Sequence, residues 1–352
     1  MHVRSITAAD LPALLSLARS TGVGVTSLPA NEARLAARID ASLAASRRPA
    51  QPAVSSFVFV LEDETTGQVV GICGLEGSIG EQEPWYNYRV GLSVRASREL
   101  NICRKLNTLF LTNDLDGAAE LCSLFLHPDW RIDGNGSLLS KSRFLFLAEF
   151  PEFFHSRVIA EMRGVSDAEG RSPFWEGLGR HFFSMEFSHA DYLTGLGHKS
   201  FIAELMPQHV VYVDFLPPEA RAVIGQVHEA TRPARAMLEA EGLRYGGYVD
   251  IFDAGPTLEC ELLQIRAVRE SQIFSVALGS PPVDGIPCLV ANRHLSDFRV
   301  CVTPVAPDRH HVTLTPSQCD TLNLQAGDTV RVVPLSPRHR LNARVHSMET
   351  PS

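Results

Sequence analysis

Short apolar runs alternate with glycine- and proline-containing turns along most of this chain. Several runs have the length and composition of buried strands, namely residues 3–6, 57–61, 69–75, 121–126 and 158–162. Weaker strand patterns lie at 86–94 and 108–111. Apolar residues at helical spacing follow Asp10 and recur at about 137–150 and 233–241. Because strands and helices alternate, the sequence predicts an α/β fold with mixed β-sheets flanked by helices.

The strand at 121–126 leads into a glycine-containing loop. Arg131, Gly134 and Gly136 lie in this loop, just before the helix predicted from about Ser137 to Phe150. The first N–H groups of a helix have no partner within it, and the helix dipole is positive there, so such a loop suits a phosphate. The spacing matches neither a P-loop nor the dinucleotide-binding fingerprint. A plain structural turn is the alternative interpretation.

Further glycines accompany two helical patterns in the second half of the chain. Ser172–Gly179 predicts a helix that carries aromatic residues and stops at glycine. The pattern at 233–241 is followed by Gly242 and by a strand pattern at 248–252. This partial similarity predicts two related lobes in tandem, at 1–185 and 186–279.

The segment 279–285 is rich in glycine and proline and predicts a linker. The short alternating runs beyond it, at 299–303 and 329–333, predict a small β module at 286–340 with a role in structure or assembly. The last dozen residues are predicted to be frayed.

Composition narrows the class of protein. The net charge of −8 argues against nucleic acid or an anionic membrane as the main partner. The seven cysteines include no Cys-x-x-Cys pair, and the thirteen histidines show no metal-ligand spacing, so we expect reduced thiols and no metal site. The sequence contains no membrane-length apolar stretch and no apolar core of a secretory leader. We therefore predict a cytoplasmic protein.

Six longer motifs carry a resemblance to a known family: Thr26–Glu32, Pro84–Gly91, Ala160–Gly164, Ser172–Trp175, Phe201–Pro207 and Asp250–Pro256. On these residues the chain, as far as about Val333, resembles the arginine N-succinyltransferases of bacterial arginine catabolism. The resemblance implies a fold like that of the GCN5-related N-acyltransferases. It also implies transfer of a succinyl group from the co-substrate succinyl-CoA to the α-amino group of L-arginine, which gives N2-succinyl-L-arginine and CoA.

The resemblance also implies roles for individual residues. The family's catalytic histidine, a proton donor, corresponds to His228, and a family contact to succinyl-CoA corresponds to Leu124. By itself, an isolated histidine is more often a surface or core residue than a catalyst. The predicted CoA-binding set combines the backbone of strand 121–126 with the glycine loop and consists of Leu124, Leu126, Arg131, Gly134, Asn135 and Gly136. Lys141 and Arg143 are more remote phosphate candidates, or residues of a solvated helix face.

The substrate guanidinium stays charged and needs carboxylates around it. Glu120, Glu161 and Asp250 are the candidates, and each has a structural ion pair as its alternative interpretation. Cys122 lies close to the glycine loop, but a buried strand cysteine is a better interpretation than a covalent acyl carrier.

Two further interpretations remain open. The acceptor is L-ornithine or another basic amine instead of L-arginine, or the chain is a non-catalytic subunit that binds a catalytic homologue. The predicted assembly is a homo-oligomer or a hetero-oligomer with a homologous subunit.

Overall fold

The computed structural model describes residues 1–21, 27–81, 83–196, 200–306 and 311–341. Thr26 of the first motif and residues 342–352, which include most of the segment predicted to be frayed, lie outside this set. None of the helices in these ranges is long and apolar enough to cross a membrane.

Within the described ranges, fifteen strands form one continuous mixed sheet. They are β1 (His2–Ser5), β2 (Ser56–Glu62), β3 (Val69–Glu76), β4 (Asn87–Ser97), β5 (Ile102–Thr112), β6 (Ala119–Leu126), β7 (Arg157–Glu161), β8 (Val211–Tyr212), β9 (Arg244–Asp250), β10 (Pro256–Glu261), β11 (Gln272–Leu278), β12 (Ile286–Ala291), β13 (Arg299–Val305), β14 (His311–Leu314) and β15 (Thr329–Pro334). The spatial order is β14-β11-β15-β12-β13-β1-β2-β3-β6-β7-β10-β9-β4-β5-β8.

The helices are α1 (Leu11–Ser20), α2 (Glu32–Ala45), α3 (Asn135–Glu149), α4 (Arg180–Phe183), α5 (Phe187–Gly195), α6 (Ser200–Leu205), α7 (Pro218–Val223), α8 (Arg232–Glu241), α9 (Arg266–Glu270) and α10 (Pro316–Leu322). The predicted α/β class, with helices packed against a mixed sheet, is therefore confirmed.

The strands β6 and β7 are parallel neighbours that separate soon after they begin to pair. Their register covers Ala119 opposite Val158 and Glu120 opposite Ile159. Beyond these pairs, β6 continues to Leu126 with its other edge on β3. The two strands are therefore not paired beyond Glu120, and we call the region between them the β6–β7 cleft.

A bulge in β6 lies on the wall of this cleft. The register with β3 shifts between Ile72 and Gly74, so that Ser123 and Leu124 together face one residue of β3. Ser123 has a φ of 53°, in the left-handed region. Sequence patterns alone predict a regular strand here.

The backbone of Leu124 points into the cleft. The His127 N–H donates to the Val70 carbonyl at 2.9 Å, which places His127 in a hydrogen-bonded pair with β3. Since alternate residues of a strand direct their N–H and C=O groups to opposite sides, Leu126 and Leu124 direct theirs away from β3, toward β7.

Helix α3 packs into the main hydrophobic core. The ring of Phe146 lies 4.6 Å from Phe57, 5.0 Å from Phe59 and 5.0 Å from Phe298, measured between centroids. Lys141 and Arg143 are also buried, at 5% and 1% exposure, so the prediction of a solvated helix face or a phosphate contact for these two residues is wrong. The reason is that α3 is covered on several sides by segments distant in the sequence.

The predicted helix at Ser172–Gly179 does not stop at its glycine. A π-helical turn at Trp175–Gly179 continues directly into α4. A Cβ on Gly179 would lie 2.3 Å from the Trp175 ring, so this glycine allows close packing and does not end the helix.

The predicted strand at 248–252 ends two residues early, at Asp250. The Asp250 side chain accepts the N–H groups of Phe252 and Asp253, at 2.7 and 2.8 Å, and this folds the chain into a turn.

The boundary predicted at 279–285 falls between β11 and β12. However, β11 pairs with β14 and β15, so it lies with the C-terminal strands and not with the preceding lobe. The C-terminal strands have a core cluster of their own that includes Phe274, Val290 and Val332. They are nevertheless joined to the rest of the sheet by β1, which lies between β13 and β2.

Candidate active site

The glycine loop forms the N-terminus of α3. Gly134 has a φ of 80° and caps the helix, and a Cβ on it would meet nothing within 4 Å. The N–H groups of Ser137 and Leu138 both donate to the Gly134 carbonyl, at 2.9 and 3.0 Å. The Asn135 side chain is buried and donates to the Trp130 carbonyl at 3.1 Å, which fixes the loop from within.

Gly136 leaves open space at the first turn of α3. A Cβ here would touch only Leu126 Cδ2, at 3.9 Å. Within the described ranges, the Gly136 N–H has no backbone acceptor, so it is available to an anion. The first turn of α3 therefore combines open space with a free N–H group, two features expected of an anion site.

Arg131 connects this loop to β6. Its Nε donates to the Leu126 carbonyl at 3.0 Å, and the residue is exposed. The structure thus brings Arg131, Gly134, Asn135 and Gly136 together at the end of the strand that contains Leu124. The side chains of Leu124 and Leu126 pack into or against the main core. Their backbone groups are the part that faces the cleft.

Cys122 is a core thiol. Arg38 Nη2 donates to its sulfur at 3.0 Å, and burial raises the pKa of Cys122 to about 12. A thiolate is therefore scarce at neutral pH, which agrees with the prediction of a buried strand cysteine.

His228 lies beside the end of β7. Its backbone N–H donates to the Arg163 carbonyl at 2.9 Å, and its Nδ1 accepts the Ala230 N–H at 3.1 Å. Because Nδ1 is occupied as an acceptor, the neutral ring carries its hydrogen on Nε2. Partial burial, followed by the charge of Arg163, lowers the pKa of His228 below its ordinary value of 6.5. At neutral pH this ring is a hydrogen-bond donor through Nε2.

The segment that contains His228 is tied to the glycine-loop helix. The Ser137 hydroxyl donates to the Met237 sulfur of α8 at 3.5 Å. Deeper in the same contact, Lys141 Nζ lies 3.1 Å from a carboxylate oxygen of Glu241, which also binds Arg266 at 2.7 Å. This buried ion triad holds α3, α8 and α9 together.

The three predicted guanidinium ligands form one acidic group, which we define as Glu120, Glu161 and Asp250. Glu161 accepts hydrogen bonds from Trp85 Nε1 at 3.2 Å and Asn87 Nδ2 at 2.5 Å. Burial raises the pKa of Glu161 well above its ordinary value of 4.5, and repulsion from Asp250 and Glu120 adds to this rise. A bound cation would relieve that repulsion.

Sequence reasoning missed two residues beside this group. Asp253 is buried, and its carboxylate accepts the N–H groups of Gly164 at 2.7 Å and Gly255 at 2.8 Å. Arg163, next to Gly164, provides the carbonyl that binds His228. Both residues lie within motifs that support the family resemblance, but the pairing between those motifs is visible only in the folded chain.

A cavity of about 580 Å³ lies elsewhere, at the end of the sheet that contains β11 and β15, and Glu270, Gln272 and Arg331 are among its lining residues. It contains none of the predicted site residues. Across the described ranges, no three His, Cys, Asp or Glu side chains are grouped as metal ligands would be.

Comparison with known proteins identifies the family. The model for the arginine N-succinyltransferase beta subunit matches residues 1–267, and the model for the C-terminal domain of that subunit matches 272–334. The break between the two models falls directly before β11.

Individual relatives match over almost the whole chain. The arginine N-succinyltransferase of Enterobacter sp. is 54% identical over 97% of this chain and 99% of its own. The arginine N-succinyltransferase subunit beta of Pseudomonas aeruginosa is 57% identical, with 97% and 100% covered. The solved structure of arginine/ornithine succinyltransferase subunit AI from Pseudomonas aeruginosa superposes with a TM-score of 0.88 at 37% identity, with 96% and 99% covered. This chain belongs to the arginine N-succinyltransferase beta subunit family.

Proposed function

We propose that this chain transfers the succinyl group of succinyl-CoA to the α-amino group of L-arginine, giving N2-succinyl-L-arginine and CoA. The main supporting observation is that β6 and β7 stop pairing after Glu120. The phosphate-type loop follows β6, and His228 is hydrogen-bonded to Arg163 just beyond β7. The relatives that cover nearly the full chain have names that describe this activity.

In this proposal, CoA lies along β6. Its pyrophosphate occupies the N-terminus of α3, beside Gly136 and Arg131. The amide groups of its pantetheine arm pair with the backbone of Leu124 and Leu126, much as an added strand would. This places the thioester near the bulge at Ser123.

His228 then acts at the reacting carbonyl. Attack by a neutral amine places negative charge on the thioester oxygen, and collapse of the intermediate moves that charge to the departing sulfur. A neutral imidazole with its hydrogen on Nε2 can form a hydrogen bond to either atom, while the proton released by the attacking nitrogen passes to the departing sulfur. The lowered pKa of His228 keeps the ring in this form at neutral pH. Cys122 takes no part, and transfer is direct.

The acidic group binds the guanidinium of arginine. The carboxylates of Glu120, Glu161 and Asp250 repel one another when they are ionised, so a cation among them is stabilised. The same chemistry suits the side-chain ammonium of ornithine, and one solved relative is named for both amino acids. Ornithine is therefore the second candidate acceptor.

We place this activity in the cytoplasm. Cys73, Cys122, Cys288, Cys301 and Cys319 are free and buried, as expected of thiols in a reducing compartment.

The test is release of CoA thiol by the purified chain alone, with succinyl-CoA and either L-arginine or L-ornithine. Arginine-dependent release supports a self-sufficient succinyltransferase, and the ornithine rate defines its specificity. A folded protein that binds succinyl-CoA but releases no CoA with either amine would show that the chain is a subunit that requires a partner.

Replacing Gly136 with valine tests the phosphate site. The new side chain would enter the open space at the first turn of α3, so we expect the KM for succinyl-CoA to rise about tenfold or more while kcat changes little. Gly136→Ala, with a smaller side chain that favours a helix, is the matched control. Gly134 is a poorer target because its φ of 80° strains any other residue. An unchanged KM in Gly136→Val would contradict the assignment.

A further inference from the structure

Arg163 is a cation beside His228 that the protein itself leaves poorly paired. The residue lies two positions after the end of β7, and its carbonyl accepts the His228 N–H at 2.9 Å. Its Nη2 donates to the Ser166 hydroxyl at 3.0 Å. Its Nε is buried and has no hydrogen-bond partner in the described part of the chain. Arg163 takes part in no ion pair with any other residue that the structure describes.

Two other buried arginines make more hydrogen bonds than Arg163, although the Nε of Arg38 also has no partner and Arg143 forms no ion pair within the described ranges. Arg38 binds the Ser27 carbonyl, the Ser123 hydroxyl at 2.5 Å and Glu76 at 3.6 Å. Arg143 is buried at 1% exposure and donates to Ser140 and to the Cys122 carbonyl. The guanidinium groups of both residues are therefore committed to the fold.

The acidic residues that act on Arg163, Asp191 and Asp253, form no ion pair with it within the described ranges. The two carboxylate oxygens of Asp253 each accept a backbone N–H, from Gly164 and from Gly255. Asp191 and Asp253 act on Arg163 electrostatically, yet burial prevails and lowers the pKa of Arg163. A half-buried guanidinium that forms no ion pair with the described residues is suited to an added carboxylate, which binds the accessible part of such a group through charge-assisted hydrogen bonds.

We propose that Arg163 binds a substrate carboxylate next to His228. This inference rests on the proposed succinyl transfer, because both of its substrates carry a carboxylate close to the reacting atoms. The α-carboxylate of L-arginine is one carbon away from the attacking amine. The distal carboxylate of the succinyl group is two methylene groups away from the thioester carbonyl. Binding of either carboxylate by Arg163 would favour that substrate over an analogue that lacks the carboxylate.

The charge arrangement of the cleft fits this role. The acidic group offers negative charge to the guanidinium, and Arg163 offers positive charge at the His228 side. A zwitterionic amino acid with a cationic side chain therefore meets opposite charge at both ends.

The experiment compares binding of ligands with and without each carboxylate. The first pair is L-arginine and agmatine, each titrated calorimetrically in the presence of CoA. The second pair is succinyl-CoA and butyryl-CoA. The variants are Arg163→Gln, which removes the charge, and Arg163→Lys, which keeps the charge but removes the planar fork. Arg171→Gln is the matched control, since Arg171 is exposed and pairs with Asp167 at 2.8 Å.

We expect Arg163→Gln to weaken one carboxylate ligand about 10- to 100-fold and its carboxylate-free analogue less than about threefold. If only the affinity for L-arginine falls, Arg163 binds the α-carboxylate of L-arginine. If only the affinity for succinyl-CoA falls, Arg163 binds the distal carboxylate of the succinyl group. Arg163→Lys should show a smaller loss with the same ligand, and Arg171→Gln should show none.

Equal weakening within both pairs, or no weakening in either, would overturn the proposal. If Arg163→Gln does not fold, as judged by its thermal melt, the affinities of Arg163→Lys for the same two ligand pairs are compared instead. The result is independent of the catalytic assay. A wild-type chain that releases no CoA refutes the proposed function, whereas the binding ratios alone decide the role of Arg163.

Discussion

Replacing His228 with alanine is expected to lower turnover roughly a hundredfold or more while affinity for succinyl-CoA stays almost unchanged. The ring forms a hydrogen bond through Nε2 to negative charge that develops only during the reaction. Removal of the ring therefore destabilises the transition state more than it weakens the binding of succinyl-CoA. The measurements are kcat from CoA release and the dissociation constant of succinyl-CoA from calorimetry. His155→Ala is the control, because His155 is a half-exposed surface histidine paired with Glu81 at 3.7 Å.

The pH profile of the wild type provides a second readout of the same role. The active form of His228 is neutral, and its pKa is lowered from 6.5, so kcat/KM should show a further fall as the pH drops through that lowered value, in addition to the fall caused by protonation of the substrate amine. Protonation would also break the bond from the Ala230 N–H to Nδ1. This acidic limb should disappear in His228→Ala. Full activity in the variant would exclude His228 from the chemistry.

Replacing Glu241 with alanine is expected to reduce the free energy of unfolding by about 3–5 kcal/mol. Glu241 is fully buried and binds Lys141 at 3.1 Å and Arg266 at 2.7 Å, and its carboxylate also accepts the Ala267 N–H at 3.1 Å. Its loss leaves two buried cations without their shared carboxylate. Urea unfolding followed by circular dichroism measures the change.

Glu239→Ala is the matched control for this prediction. Glu239 lies two residues earlier on the same helix and pairs with Arg235 at 2.9 Å, but its side chain is 40% exposed. Such a surface pair contributes at most about 1 kcal/mol. Equal stability of Glu241→Ala and Glu239→Ala would show that the buried triad does not hold α3, α8 and α9 together.

Local sequence patterns were sufficient to predict most of the elements around the site. The strand at 121–126, the glycine loop and the helix that follows agree with β6, Gly134 and α3 to within about two residues. These features depend on local chemistry, namely β-rich apolar runs and a glycine at positive φ before a helix. The helix at α8 was predicted for similar reasons, with Gly242 at a φ of 114° directly after it.

Features that depend on distant segments could not be predicted in this way. The bulge at Ser123 has no sequence signal, because serine rarely adopts a positive φ and does so here under the constraint of β3. Lys141 and Arg143 look like exposed helix residues until Glu241, Leu335 and Cys122 are seen to accept their hydrogen bonds. Arg163 is significant only because the fold places His228 beside it.

The position of β1 has a consequence for how the chain is made. β1 is translated before the other described strands, and β2 can pair with it soon afterwards. Its other neighbour, β13, is translated only after β2 to β12, yet Val3 pairs with Val300 and the Ser5 N–H donates to the Phe298 carbonyl at 2.9 Å. Until β13 has been made, one edge of β1 therefore has no native partner. A nascent chain stalled before β13 would expose that edge for pairing with other chains.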